Sequence, residues 1–212
     1  MKAVLFDFDG VIADTERSNL SYMEKALGAF DIRLTDEERA RFIGMRDREF
    51  LTDLFRRADQ SVTMDDYLRI KKEVGNSYED GAIRPMPGLK EFLCSLRGEG
   101  FLIGLASSTS SRLILAALNH MKLTGMFDSI VCGDMCTRAK PDPEIYLKVM
   151  DYLDVKPEEC IVIEDSAAGI RAGKAAGAYV VAYRGSEIIQ DVSGADAVLD
   201  SYKSAAMESC FK

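Results

Sequence analysis

KAVLFDFDGVIADT, residues 2–15, is the stretch on which the fold turns. It begins as an apolar run, Ala3-Val4-Leu5-Phe6, and closes on Asp7, Asp9 and Asp14. A short run of aliphatic and aromatic residues without alternation suits a strand buried on both faces. Two carboxylates one residue apart at the end of such a strand repel each other where water is scarce. Something must offset that repulsion, and the ends of the other strands supply the candidates.

Runs of the same character recur at FLIGLAS (101–107), SIVC (129–132), CIVIED (160–165), AYVVAY (178–183) and DAVL (196–199). Helical patterns lie between them. GLKEFLCSLRGEG places Leu89, Phe92, Leu93 and Leu96 on one face and ends at glycine, and TSSRLILAALNHM starts with capping hydroxyls. PDPEIYLKVMDYL has prolines at its entry, and DSAAGIRAGKAAG runs from Ser166 to Gly177. Strand and helix alternate from residue 88 onward, which predicts an α/β fold: a doubly wound, Rossmann-like parallel sheet wrapped by helices. Residues 16 to about 80 break the rhythm with helix-like segments alone. They read as a small helical-bundle cap inserted after the first strand, leaving through GAIRPMPG (81–88). The expected division is a core of 1–14 with 83–212 and a cap of 15–82.

The chain has 212 residues, 35 acidic and 27 basic, with a net charge of −8. That balance argues against a nucleic-acid partner, which needs a basic face. It leaves room for an anionic small substrate held by a few local cations and backbone amides. No segment is apolar over a membrane-spanning length, and aspartates interrupt the N-terminal apolar run at once, so no membrane partner is expected. The five cysteines are odd in number and irregular in spacing, and read as reduced thiols in a cytoplasmic protein. Cys132 and Cys136 have no second pair, and His120 is the sole histidine, which does not make a metal site.

In an open parallel sheet, ligands bind at the carboxyl ends of the strands. Strand one ends in Asp7-Phe8-Asp9-Gly10, strand two in Ser107-Ser108-Thr109 and strand four in Glu164-Asp165-Ser166, while TRAKPDP with Lys140 follows strand three. The acids Asp7, Asp9, Glu164 and Asp165 need a cation among them, and oxygen-only ligands favour a hard ion, Mg²⁺. A carboxylate beside Mg²⁺ can attack phosphorus to give an aspartyl-phosphate. A second carboxylate two residues on can protonate the leaving oxygen and then activate water, worth roughly 10²–10⁴-fold. Ser107, Ser108 and the amides of the following helix start are candidates for holding the phosphoryl group, with Lys140 neutralising it from another side.

These stretches resemble the motifs of the haloacid dehalogenase superfamily, in the subgroup of phosphatases and β-phosphoglucomutases with a helical cap. DFDGVIADT resembles the first motif, GLASS the second, AKPDPEIY the third and IVIEDSAAGIRAGKAAG the fourth, in that order along nearly the whole chain. The resemblance implies that Asp7 is the nucleophile and Asp9 the acid/base. It implies that Asp7, Asp9, Glu164 and Asp165 hold Mg²⁺, with Asp9 acting through its backbone carbonyl. Ser107 and Lys140 are implied phosphate binders, and Thr15 is placed near the cap hinge. It also implies a core with the first strand central. The dehalogenases that named the superfamily lack the second aspartate of the first motif, so Asp9 speaks for phosphoryl transfer.

The expected function is therefore a Mg²⁺-dependent phosphatase acting on a small phosphorylated metabolite, such as a sugar phosphate. A β-phosphoglucomutase is the alternative, and a non-catalytic phosphate-binding protein a remote one. The mutases are expected to carry a histidine a few residues beyond the hinge threonine, where this chain has Asn19. They also carry an arginine in a cap loop after a glycine; here IGMRDREF offers Arg46 and Arg48 in shifted register, and Arg46 is the candidate substrate contact. A solvated charged loop reads the same residues equally well. A monomer is expected.

Overall fold

The computed structural model describes residues 1–39, 48–58, 62–186 and 191–203. The chain divides into two compact units, Met1–Asp14 with Arg84–Lys212, and Thr15–Ile83.

The first unit holds a six-stranded sheet of β1 (Ala3–Phe6), β2 (Leu102–Ser107), β3 (Ser129–Cys132), β4 (Cys160–Glu164), β5 (Tyr179–Tyr183) and β6 (Ala197–Leu199). The strand order is β3-β2-β1-β4-β5-β6 and every pairing is parallel. All six apolar runs of the sequence are strands, and β1 lies inside the sheet between β2 and β4. The fold is α/β and Rossmann-like. Register aligns Phe6 with Leu105 on one side and with Ile163 on the other. The residues after Phe6, those at the end of β2 and those after Ile163 therefore reach the same edge of the sheet.

Helices cover both faces because the strands are apolar on both. Ala3, Leu5, Ala106, Val131, Val162 and Val180 form one buried cluster with Ile145, Tyr146 and Val149 of α6 (Glu144–Tyr152) and Ile170 and Ala172 of α7 (Ala167–Ala175). Alternation along β1 turns Phe6 to the opposite face. There its ring meets Phe92 of α4 (Leu89–Gly98) edge to face, with centroids 6.1 Å apart. Leu89, Phe92, Leu93 and Leu96 are the buried residues of α4, the stripe read from sequence.

The start of α5 (Ser111–Met121) departs from the sequence reading. Its hydroxyl-rich entry supplies no cap through Ser110. Asp134, beyond β3, accepts from the Ser111 amide at 2.9 Å and from its hydroxyl at 2.7 Å. A carboxylate is the stronger acceptor for a helix-start amide and also suits the positive end of the helix dipole.

The second unit is helical, with α1 (Glu16–Gly28), α2 (Arg48–Arg57) and α3 (Met64–Val74). Met23, Ala26 and Leu27 of α1, Phe50, Leu54 and Phe55 of α2 and Tyr67 of α3 bury one core of their own. Thr63 and Asp66 close a reciprocal capping box at the start of α3. No helix of the described residues is long and apolar enough to cross a membrane.

Candidate active site

Asp7 follows β1 directly and its amide donates to the Ile163 carbonyl of β4 at 3.0 Å, so the sheet ladder itself fixes where its side chain begins. Gly10 then takes a φ of +80°, which turns the chain back, and the amides of Val11, Ile12 and Ala13 all donate to the Phe8 carbonyl. A Cβ at residue 10 would stand 2.0 Å from Asp165 Oδ2, so glycine is required both for the turn and for the approach of that carboxylate.

Lys140 enters from the loop after β3 and its ammonium is the centre of the arrangement. Nζ donates to Asp7 Oδ1 at 2.5 Å, to Glu164 Oε1 at 2.7 Å and to the Ala106 carbonyl at 3.1 Å. It also lies 4.9 Å from the centre of the Tyr146 ring, a cation–π contact. Glu164 is fully buried and accepts on both oxygens: Lys140 and the Tyr146 hydroxyl on Oε1, and the amides of Asp165 and Ser166 with the Ser166 hydroxyl on Oε2. Ser107, at the end of β2 and fully buried, accepts the Thr109 amide at 3.1 Å. The Thr109 hydroxyl donates to Asp9 Oδ2 at 3.1 Å.

Burial pushes the Asp7 carboxyl up to about 7; Lys140 opposes this, while Glu164 and Asp9 add to it. Burial would lower Lys140, but Asp7 and Glu164 outweigh it and hold the ammonium well above its ordinary value. Glu164 is lowered, because Lys140 and the Ser166 donors overcome the cost of burial. One lysine thus faces a set of carboxylates that it does not fully balance. Asp7, Glu164 and Asp165, all buried, each bring an oxygen within 4.8 Å of the others. An all-carboxylate set with residual negative charge fits a hard divalent cation.

The description "Haloacid dehalogenase-like hydrolase" belongs to the family model that matches residues 4–183, from β1 to the end of β5. The chain belongs to the haloacid dehalogenase-like hydrolases. Within this family it is 33% identical over 177 residues to the phosphorylated carbohydrates phosphatase of Thermotoga maritima, covering 84% of this chain and 82% of that one. It is likewise 33% identical over 215 residues to the β-phosphoglucomutase of Bacillus subtilis, covering 98% and 93%. Among solved structures it resembles CbbY of Rhodobacter sphaeroides in complex with xylulose-1,5-bisphosphate, with a TM-score of 0.75, 26% identity and 95% of each chain covered.

In this hydrolase the structure brings Asp7, Asp9, Ser107, Lys140, Glu164 and Asp165 to one edge of the sheet. Ser108 lies beside them, and its carbonyl oxygen would stand 2.2 Å from a Cβ at residue 133. Ser108 and Lys140 also line a cavity of about 190 Å³ with Gly133, Cys136, Thr137 and Ile145. The first amide of α5, expected to face a phosphate, is occupied by Asp134. Arg46 lies outside the described residues. Asn19 belongs to the helical unit, where Ser77 Oγ donates to its Oδ1 at 3.4 Å. Sequence reasoning passed over Thr109 and Tyr146. Thr109 stands in the hydroxyl run after strand two and Tyr146 ends AKPDPEIY, but only the tertiary structure shows that their hydroxyls reach carboxylates 100 and 18 residues away.

Proposed function

We propose that this hydrolase is a Mg²⁺-dependent phosphatase of a small phosphorylated metabolite, a sugar phosphate among the candidates. The observation that carries the reading is the position of Lys140, bonded at once to Asp7 and Glu164 beneath the same strand ends that hold Asp9 and Ser107.

Asp7 is the proposed nucleophile. Its carboxylate oxygen forms a bond to phosphorus as the bond from phosphorus to the leaving oxygen breaks, and Asp9 gives that oxygen its proton. Water then attacks the phosphorus of the aspartyl-phosphate and passes a proton to Asp9. The bond to Asp7 breaks, and inorganic phosphate and the free carboxylate are restored. The Thr109 hydroxyl holds Asp9 in place, and the Lys140 ammonium opposes the rise of the Asp7 carboxyl that burial causes, which favours the ionised nucleophile. Ser107, Ser108 and Lys140 are the proposed phosphoryl contacts in this unit, and Arg46 is a proposed substrate contact. Asp7, Asp9, Glu164 and Asp165 are the proposed Mg²⁺ ligands. Asp7 and Asp165 take the larger share, since both oxygens of Glu164 already accept from protein donors. A divalent cation held there would neutralise the phosphate oxygens and the excess charge of the carboxylates.

A second reading, a phosphosugar mutase, is supported by the mutase of Bacillus subtilis, similar over 98% of this chain. Against it stands Asn19 at the position where those mutases are expected to have histidine. One screen separates the two: phosphorylated metabolites with and without Mg²⁺, including β-glucose 1-phosphate, following both free phosphate and glucose 6-phosphate. Mg²⁺-dependent phosphate release from a narrow set of esters is the expected result. Glucose 6-phosphate without net phosphate release would replace the phosphatase by the mutase, and no turnover of any ester would overturn both.

A further inference from the structure

The turn that carries Asp9 is held largely by its own backbone. The Phe8 carbonyl accepts from Val11 at 3.3 Å, Ile12 at 2.9 Å and Ala13 at 3.1 Å, and the Gly10 amide donates to Ala13 at 2.9 Å. The Met86 amide holds the Ile12 carbonyl at 2.9 Å. The Val11 carbonyl is met from the far end of the chain: the Tyr202 hydroxyl, three residues past β6, donates to it at 3.1 Å.

The segment around Tyr202 is tightly held. Its ring stacks on Tyr183 at 4.3 Å with planes 14° apart, lies 5.0 Å from Phe92 and 6.5 Å from Phe6, and is 6% exposed. The chain passes Gly88, whose φ is +85°, so closely that a Cβ there would come within 3.1 Å of the Tyr202 carbonyl carbon and 2.8 Å of Lys203 Cγ. Packing among four aromatic rings therefore fixes a hydroxyl that donates to the turn beside Asp9. A ring so buried needs its hydroxyl bonded, and the acceptor it has found is backbone of that turn.

We infer that Tyr202 is a positioning residue for Asp9: through the Val11 carbonyl it fixes the turn that aims the Asp9 carboxyl at the leaving oxygen. This rests on the reading of Asp9 as acid/base given above. A residue that acts through a general acid matters where the leaving group needs a proton and little where it does not. The test is kcat/KM, which reports only the steps through aspartyl-phosphate formation, for two Mg²⁺-supported hydrolyses: of 4-nitrophenyl phosphate, whose phenolate leaves unprotonated, and of an alkyl phosphate monoester, whose alkoxide cannot.

Tyr202→Phe keeps the stacked ring and removes only the hydroxyl. It is expected to lower kcat/KM on the alkyl ester by about tenfold, the worth of one well-placed hydrogen bond, and on the aryl ester by less than about twofold. Asp9→Asn should show the same selectivity with a larger loss, of roughly 10²–10⁴-fold on the alkyl ester. Tyr183→Phe, which alters the same aromatic stack without touching the turn, should leave the ratio of the two rates unchanged. That ratio does not depend on the fraction of enzyme folded, so it remains decisive even for a destabilised Tyr202→Phe. Equal losses on both esters, or no loss on either, would overturn the inference while leaving Asp9 in its role. An Asp9→Asn variant whose kcat/KM falls alike on both substrates, or a wild type that hydrolyses neither, would remove the acid/base reading and the inference with it.

Discussion

Both units carry surface ion pairs, but among the described residues only the α/β unit also buries a charge network. In the helical unit every ion pair of the described residues keeps at least one partner well exposed: Arg56–Asp53 has side chains 74% and 57% exposed, and Arg69–Glu73 is 62% and 63% exposed. In the α/β unit Lys140 is 6% exposed and pairs with Asp7 and Glu164 at 11% and 1%. Exposed pairs add little to stability, because water and salt already solvate their charges. A buried set is costly to assemble and costly to break, so its presence at the strand ends points to chemistry. The same contrast holds for buried carboxylates. Among the described residues all three, Asp7, Glu164 and Asp165, belong to the α/β unit, at the edge of the sheet where the strands end.

The contrast predicts a graded series of effects. Asp7→Asn should abolish phosphate release, a loss of at least about 10³-fold measured at saturating substrate, while the protein stays folded. Lys140→Met leaves Asp7 and Glu164 facing each other without their cation. In the metal-free protein it should cost about 3–5 kcal/mol by denaturant unfolding, and added Mg²⁺ should recover part of that loss. A Lys140→Met protein as stable as wild type would mean that the buried network is not the strained part of the molecule.

The raised Asp7 carboxyl gives the next effect and its sign. With a folded value of about 7 against 3.8, the native state holds this proton longer than the unfolded chain between those pH values. The stability that Asp7 contributes is present in full below about pH 4 and is lost as pH rises through 7. Asp7→Asn cannot ionise, so without metal its stability relative to wild type should improve from pH 4 to 7, by at most about 4 kcal/mol, then level off. A relative stability that stays flat, or falls, would show that Lys140 already balances Asp7. At the small end, Arg56→Ala breaks only an exposed pair and should change neither melting temperature nor turnover measurably.

How much of this was legible in the sequence depends on the range of the physics involved. The six strands are short local runs without alternation, and the α4 stripe repeats at helical spacing, so both are written in neighbouring residues. The convergence of Asp7, Ser107, Lys140 and Glu164 also follows from sequence once the sheet is parallel, since all lie at or just beyond strand ends. What the sequence could not disclose is pairing across distance. TSSR reads as a self-capped helix start, yet Asp134, 23 residues away, is the better acceptor and takes the amide. Glu164 reads as a metal ligand, but its five donors come from Lys140, Tyr146 and the backbone and side chain that follow it. Tyr202 carries no motif at all; its partner is 191 residues away.

Everything proposed for this site depends on the buried Asp7 forming the covalent bond to phosphorus. Enzyme quenched during turnover of a good substrate with Mg²⁺, reduced with borohydride and mapped by peptide mass, probes that bond itself. An acyl-phosphate on Asp7 is reduced to homoserine, so homoserine is expected at position 7 in wild type and none in Asp7→Asn. Unmodified Asp7 during active turnover, or homoserine at Asp9, would refute the assignment.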